Sequence, residues 1–276
     1  MIKSSIKNMN LYKSTNRFIR NYNQLSTSLN RKPTIEEMAS IDQLHYNGTK
    51  AVEEAIIKTN INSQSLILDI GSGIGGPARY IAHKTKSYLY ALEIQKELND
   101  IANKLTIDYK LNKNIKHIEA DILEYNFKDV KFDIIVSWLA LYHIPKRKQL
   151  LEKLFKLLKG NGIIYSEDFY LKKKLTSIEM NTLSKSFFAN HLVSYNEYKN
   201  ELIDNKFKVV EFTDMTNNWT LFTKKRLNEY KKNIDLHIKV HDEETVNYIL
   251  SFYKLAFRLL SENILGGIKY ICKKNT

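Results

Sequence analysis

Short apolar runs alternate with longer amphipathic segments along the middle of the chain. The runs have the length of strands and are apolar at nearly every position, which is typical of strands buried on both faces of a sheet. The segments between them place apolar residues three and four positions apart, which predicts helices. The predicted strands cover 65–70, 88–94, 115–120, 132–138 and 162–167, and the predicted helices cover 77–84, 96–112 and 146–158, the last stopped by Gly160.

The pattern differs towards both ends of the chain. Helices are predicted at 175–189, 195–205, 220–233 and 243–262, with single strands at 208–215 and 267–272. A short helix is predicted to begin after Thr34, because Glu37 follows as in a capping box, and another covers 47–59. We therefore predict an α/β fold: a Rossmann-like, seven-stranded, mostly parallel sheet whose last strand is antiparallel. N-terminal entry helices and an inserted helical cap near the C-terminus complete it.

Composition narrows the class of protein. The chain has 276 residues, 43% apolar and 26% charged, which suits a globular protein of one large domain or of a domain with an inserted subdomain. The single cysteine, Cys272, excludes an intramolecular disulfide and a thiolate zinc site. No apolar run approaches the roughly 18 residues of a spanning helix, so no transmembrane segment is predicted. No cluster has the spacing of metal ligands, and no metal is expected.

Positive charge is concentrated at the N-terminus. The net charge is +13, and the first 35 residues hold seven basic side chains and no acid before Glu36. Such a leader is typical of a mitochondrial transit peptide. We predict a basic leader at 1–32, either a transit peptide cut near Asn21–Tyr22 or a disordered tail, and a mitochondrial location with a cytoplasmic one as the alternative. Residues 33–276 are predicted as the folded domain, with the cap inside 171–265.

Glycines cluster directly after the first predicted strand, at Gly71, Gly73, Gly75 and Gly76. Glycine permits the positive φ of a tight strand-to-helix turn and lets a ligand approach the backbone closely. Pro77 follows where proline suits the first turn of a helix. This order predicts a ligand-binding turn outside the carboxyl ends of the strands.

Two carboxylates flank this turn. Glu93 ends the next strand, 20 residues beyond Gly73, where nucleoside-binding α/β folds place an acceptor for ribose hydroxyls. Asp69 lies just before Gly71, where it would repel a pyrophosphate but suit a cationic amino-acid group. The pair favours a nucleoside that carries an amino acid over a dinucleotide.

From residue 67 to about residue 167 the chain resembles the class I S-adenosylmethionine-dependent methyltransferases. Their first motif, Asp-x-Gly-x-Gly-x-Gly, is present here from Asp69 to Gly75. The resemblance implies that S-adenosyl-L-methionine is the cofactor of a methyltransferase domain at 33–276. It implies these cofactor-binding residues: Asp69, Gly71, Gly73 and Gly75 at the methionine end, Glu93 at the ribose, and Asp121 and Ile122 at the adenine.

A narrower resemblance precedes the glycine turn. Residues 33–51 resemble the entry helices of a subgroup related to the sarcosine/dimethylglycine and phosphoethanolamine N-methyltransferases, in which this segment closes over cofactor and acceptor. By that resemblance Gln43 and His45 face the site, although each could instead be a surface polar group. The chain departs from the subgroup at Leu139 and Phe169, where an aspartate and a tyrosine are expected, and near residues 187–188, so a phosphobase acceptor is not expected.

Histidine and aromatic residues follow the fourth strand, at the rim where acceptors bind. His143 matches a histidine of the phosphoethanolamine enzymes, and a neutral imidazole can take a proton from an amine or orient it. Its alternative role is to satisfy a loop carbonyl. We predict His143 and His45 as catalytic, and Gln43, Trp138 and Phe169 as substrate-binding, although aromatic residues at such spacing are often core.

The predicted activity is methyl transfer to a small molecule, chiefly N-methylation of a small amine. One alternative is C- or O-methylation of an apolar, quinone- or lipid-like acceptor. Another is a methyltransferase fold kept as an accessory or assembly subunit of a mitochondrial complex. The predicted partners are a small-molecule acceptor and either such a complex or further copies of the chain; no nucleic acid partner is expected.

Overall fold

A seven-stranded sheet forms the centre of the molecule in a computed structural model, which describes residues 14–275. The strand order is β3-β2-β1-β4-β5-β7-β6, and β7 runs antiparallel to both neighbours while the other pairs are parallel. The predicted fold class is therefore confirmed. The strands are β1 (Leu66–Ile70), β2 (Tyr88–Glu93), β3 (Ile115–Glu119), β4 (Phe132–Trp138), β5 (Leu158–Leu171), β6 (Phe207–Asp214) and β7 (Leu265–Lys274).

Helices cover both faces of the sheet and build the cap. One face packs on α6 and α8, and the other packs on α3 and α4. In the described part of the chain, no helix has both the length and the apolar character needed to cross a membrane. The helices are α1 (Asn16–Leu29), α2 (Ile35–Asp42), α3 (Thr49–Thr59), α4 (Gly76–Thr85), α5 (Lys96–Asp108), α6 (Arg147–Leu157), α7 (Ser177–Phe187), α8 (Tyr195–Asp204), α9 (Thr216–Lys232), α10 (Ile234–Val240) and α11 (Glu243–Ser261).

Strand order changes direction at β1, whose neighbours are β2 and β4. The connections from β1 and from β4 leave the sheet on opposite sides, which opens a crevice at the carboxyl ends of the strands. The inserted helices α9, α10 and α11 lie between β6 and β7 in the chain and form the cap, with a buried core around Trp219 that also includes Phe169 and Tyr46. This arrangement places the predicted site between the sheet and the cap.

The boundary between α6 and β5 differs from the prediction. Gly160 was expected to stop the helix, but α6 ends at Leu157, and Leu158 is already extended and paired with Phe132 of β4. The side chain of Leu158 is buried in the core, so strand pairing and burial outweigh the local stop signal of the glycine. The 3₁₀ turn Leu141–His143 and helix α10 were not predicted; the apolar residues of α10 alternate with polar ones, which is the period of a strand and not of a helix.

The structure describes only the later part of the predicted basic leader. Residues 16–29 form helix α1, which packs against the domain through the buried Phe18 and is not a disordered tail. The rest of the predicted leader before residue 14 lies outside the described residues, and the transit peptide stays a prediction. A cut near Asn21–Tyr22 would remove the first turn of α1 together with Phe18.

Candidate active site

A cavity of about 530 Å³ lies at the carboxyl ends of β1, β2 and β4, within the size range of small-molecule sites. Its wall combines the glycine turn, the segment after α2, the 3₁₀ turn, the cap helices and α1. Of the twelve residues predicted for the site, only Gly75 is not part of this wall. The structure brings together Gln43, His45, Asp69, Gly71, Gly73, Glu93, Asp121, Ile122, Trp138, His143 and Phe169.

The glycine turn is shaped by its backbone. The amides of Gly71 and Ser72 donate to the carbonyl of Leu92, at 2.9 and 3.0 Å, which ties the turn to the end of β2. Gly71 has φ +73°, and a Cβ there would overlap the Cβ of Ala140 in the loop after β4. Gly75, with φ +76°, precedes α4 and lies behind the turn, so it shapes the turn from outside the cavity.

Glu93 joins β2 to the glycine turn. Its carboxylate accepts from the Gly73 amide at 2.9 Å and from the Gln95 amide at 2.8 Å. Burial raises the pKa of Glu93, and these two donors oppose the rise. Each carboxylate oxygen has a second lone pair, so Glu93 can still accept a hydroxyl from a ligand.

Asp69 places an unsatisfied carboxyl oxygen in the cavity wall. Its side chain is buried, and its Oδ2 has no hydrogen-bond partner among residues 14–275. Burial, with the nearby charge of Glu93, raises the pKa of Asp69 to about 8. Because an unpaired buried carboxyl is costly, this geometry fits a ligand that brings a donor or a positive charge.

The loop after β3 closes the cavity beside Glu93. The Ala120 amide donates to the Glu93 carbonyl at 3.0 Å, and the Asp121 carboxylate accepts from the Leu123 amide at 2.8 Å. Ile122 is buried, with its side chain in the wall. The predicted adenine residues are thus positioned near the predicted ribose residue, although their roles stay predictions.

His45 lies in the segment that follows α2. Its Nε2 donates to the Gly48 carbonyl at 3.1 Å, since a carbonyl only accepts, and this leaves the Nδ1 lone pair free of the proton. The ring lies 5.4 Å from the Trp138 ring. Burial lowers the pKa of His45 to about 4, with a smaller contribution from the Arg226 charge, so the ring is neutral at pH 7.

His143 combines the two roles considered for it. Its Nδ1 donates to the Phe188 carbonyl at 3.2 Å, which satisfies a loop carbonyl, while the residue also lines the cavity. Burial lowers the pKa of His143 to about 4, so this ring is neutral at pH 7 as well. The Nε2 lone pair is therefore available to an acceptor molecule.

The cap contributes residues that sequence patterns did not indicate. Arg226 of α9 donates to the His45 carbonyl at 3.1 Å, and its guanidinium lies 4.6 Å from the centre of the Phe222 ring. The Tyr230 hydroxyl and His241 Nδ1 are buried in the same wall without a hydrogen-bond partner among the described residues. No spacing in the chain links these positions to the glycine turn; only the folded cap brings them to it.

The aromatic residues near the site belong either to the cavity wall or to the core. Trp138, Phe169 and Phe187 line the cavity. Trp219 is fully buried beside Phe169, at 5.5 Å between ring centres, and belongs to the core of the cap. Tyr170 points into the core on the face that carries α8.

Known proteins share this architecture. A family model described as "Methyltransferase domain" matches residues 68–166. Phosphoethanolamine N-methyltransferase 1 of Arabidopsis thaliana is 26% identical over 229 residues, 83% of this chain and 46% of that protein. The glycine/sarcosine/dimethylglycine N-methyltransferase of Actinopolyspora halophila is 23% identical over 167 residues, 60% of this chain and 30% of that one.

A solved structure agrees over nearly the whole chain. Phosphoethanolamine N-methyltransferase 2 of Haemonchus contortus, in complex with phosphomonomethylethanolamine and S-adenosylhomocysteine, has a TM-score of 0.82 at 14% identity. The alignment covers 98% of this chain and 60% of that one, so this chain spans about half of these phosphoethanolamine relatives. The resemblance seen in the sequence is confirmed: residues 68–166 match the methyltransferase-domain model, and the similar proteins and the similar fold are those of methyltransferases.

Proposed function

We propose that the chain transfers a methyl group from S-adenosylmethionine to the nitrogen of a small amine that carries an acidic group. The observation that carries this proposal is the composition of one continuous cavity. At the sheet it presents Asp69, buried and unpaired, and at the cap it presents Arg226 beside the neutral His45. The first end suits a cationic cofactor, and the second suits an anionic acceptor.

The residues at the sheet end fit S-adenosylmethionine. Asp69 offers a carboxyl without a donor, Gly71 and Gly73 leave the backbone open to close approach, and Glu93 retains acceptor capacity for hydroxyls. Asp121 and Ile122 supply an acceptor and an apolar surface for a base. When bound, the cofactor supplies a methyl group on a positively charged sulfur.

An amine acts as a nucleophile only through a free lone pair. His45 and His143 are neutral at pH 7 and each keeps one unprotonated ring nitrogen, so either can accept a hydrogen bond from the amine. With pKa values near 4 they are weak bases, and orienting the amine is the role that suits them. The buried aromatic wall excludes water from the reacting groups.

The cap supports an acidic group on the acceptor. Arg226 is half-buried, and no ion pair within the described chain joins it to a carboxylate. Its guanidinium is held by the His45 carbonyl and by the Phe222 ring, which leaves further donors for a carboxylate or phosphate. The neighbouring Tyr230 hydroxyl adds a donor without a protein partner in residues 14–275.

The test is cofactor binding followed by an acceptor screen. Calorimetry with purified full-length protein should show S-adenosylmethionine binding, and its absence would refute the proposed activity. Transfer of a labelled methyl group is then compared for phosphoethanolamine, sarcosine and ethanolamine. The first two carry an acidic group, so a preference for either over ethanolamine supports the proposal, and equal rates for all three contradict the acidic requirement. Turnover of phosphoethanolamine would also overturn the expectation, drawn from residues 139, 169 and 187–188, that a phosphobase is not accepted.

A second candidate is transfer to carbon or oxygen of an apolar acceptor. Leu139 lines the cavity directly after β4, and Trp138, Phe169 and Phe187 give this region an aromatic wall. A quinone-like acceptor belongs in the same screen, and turnover with it alone would favour this candidate. Failure to bind the cofactor would instead favour the accessory role.

A further inference from the structure

A fully buried ion pair joins the entry segment to the glycine turn. Arg79 of α4 is 0% exposed, and its Nη2 lies 2.9 Å from Oδ2 of Asp42, the last residue of α2. The same guanidinium donates through Nη1 to the Ile74 carbonyl in the turn at 2.7 Å. A buried arginine with these partners is well placed to fix three pieces of backbone relative to one another.

The backbone around this ion pair is tightly packed. A Cβ on Gly76, at the start of α4, would overlap the carbonyl oxygen of Asp42. Gln43 adds a hydrogen bond from its Nε2 to Asp42 Oδ1 at 3.1 Å. Gly76 thus serves close packing of the end of α2 and is not part of the cavity wall.

The cavity wall includes the end of α2 at residues 40–42 and continues without a gap through Gln43 to Tyr46. The His45 ring lies 5.4 Å from Trp138, and the Tyr46 ring lies 5.0 Å from Trp219. These are the only two tryptophans of the chain. The position of the segment is therefore coupled to both fluorophores.

We propose that Arg79 and Asp42 are positioning residues that hold residues 43–46 over the cavity, so that His45 meets the acceptor and the glycine turn keeps its shape. This inference rests on the proposed function and adds to it two residues that act through others: Arg79 is not part of the cavity wall, and the Asp42 carboxylate is occupied by Arg79 and Gln43. Arg79 acts through Ile74 and through Asp42, and Asp42 acts through the backbone that follows it.

A stabilising role alone has to be separated from a positioning role. Removing one member leaves a charge buried without its partner, which destabilises a protein strongly, whereas replacing both with apolar residues of similar volume is often neutral. The double variant Asp42→Leu/Arg79→Met removes the pair and avoids the unpaired charge. Arg147→Met/Glu201→Leu is the matched control, because Arg147 is nearly buried and paired with Glu201 at 2.7 Å away from the cavity, and both members are again replaced.

The experiment compares melting temperature, tryptophan emission and S-adenosylmethionine affinity in the full-length proteins. We expect the double variant to melt close to the control, to show red-shifted emission without any ligand, and to bind the cofactor at least about tenfold more weakly, a change of about 1.4 kcal/mol. Wild-type emission and affinity in a folded double variant would overturn the inference. Asp42→Asn, which keeps the side-chain shape, provides the same comparison if the double variant does not fold.

Different results would contradict the proposed function and the positioning role. If the wild-type protein does not bind S-adenosylmethionine, the proposed function fails, but the emission shift still tests the positioning of residues 43–46. If the wild-type protein binds and the variants bind equally well with unchanged emission, only the positioning role fails.

Discussion

At the scale of single residues, Asp69 couples cofactor binding to the release of a proton. Its pKa of about 8 without ligand means that most of the carboxyl is protonated at pH 7. A cationic ligand favours the ionised form and lowers this pKa. Binding at pH 7 should therefore release close to one proton, and affinity should increase with pH up to about 8.

Calorimetry in two buffers of different ionisation enthalpy measures this release. Asp69→Asn is the control, since the amide keeps the shape but cannot lose a proton in this range, so its weaker binding should be independent of pH. Equal apparent enthalpies in both buffers for the wild-type protein would contradict the assignment of Asp69 to the cationic ligand.

Arg226 carries the second prediction at this scale. Replacing it with glutamine should raise KM for an acidic acceptor about 10- to 100-fold, the effect of losing one charged hydrogen bond, with cofactor affinity unchanged. Lys225→Gln is a matched control, because Lys225 lies one residue away on α9, is exposed, and pairs only loosely with Glu229 at 3.8 Å. An equal KM for the wild-type and Arg226→Gln proteins would contradict the proposal that the acceptor carries an acidic group.

At the scale of elements, helix α1 is part of the cavity wall. Its buried Phe18 contacts the cluster formed with Ile74 of the glycine turn and Leu98 of α5. Its Arg20 pairs with Asp242 at the start of α11, at 3.0 Å. The helix therefore connects the sheet domain to the cap across the cofactor end of the cavity.

Phe18→Ala should accordingly weaken S-adenosylmethionine binding severalfold, because it opens the cluster behind the glycine turn and leaves a buried void. Arg31→Ala, two residues after the end of α1, is the control, since Arg31 is exposed and its guanidinium contacts Glu37 and the Lys32 carbonyl on the surface. Isothermal titration of both variants makes the comparison, and unchanged affinity for Phe18→Ala would show that α1 has no part in cofactor binding. The mitochondrial location stays a prediction. A transit-peptide cut near Asn21–Tyr22 would remove the part of the cavity wall that α1 contributes.

At the scale of the whole molecule, buried acids decide how stability depends on pH. Burial raises the pKa of Asp69 to about 8 and those of Glu167 and Asp168 to about 7. A group whose folded-state pKa is raised contributes stability at low pH and loses it as the pH rises through that value. The buried histidines act in the opposite direction, but only below their ordinary pKa of 6.5.

The ligand-free protein should therefore melt at a lower temperature at pH 8 than at pH 6.5. Each affected group contributes up to about 1.4 kcal/mol per pH unit, and a chain of this size loses roughly 2–4 °C per kcal/mol. Differential scanning calorimetry across this range checks the fall, with Asp69→Asn expected to show a shallower one. A constant melting temperature would mean that these carboxyls are already ionised in the folded protein.

Local patterns in the sequence determined the sheet and one end of the site. Strands buried on both faces are continuous apolar runs, so β4 was predicted with its observed bounds. The turn from Gly71 to Gly75 needs positive φ, and only glycine adopts it freely, so its place after β1 was evident. The short-range order of Asp69, the turn and Glu93 then indicated the cofactor.

Tertiary structure alone decided the other end of the site and its electrostatics. Arg226 lies 181 positions from His45 in the chain, and Arg79 lies 37 positions from Asp42; no local period encodes either contact. Likewise, the neutral state of His45 follows from burial beneath the cap, which a sequence pattern does not report. The sequence by itself therefore determined the sheet, the glycine turn and the class of cofactor, because these depend on neighbouring residues. The acceptor end depends on which distant side chains the fold buries together.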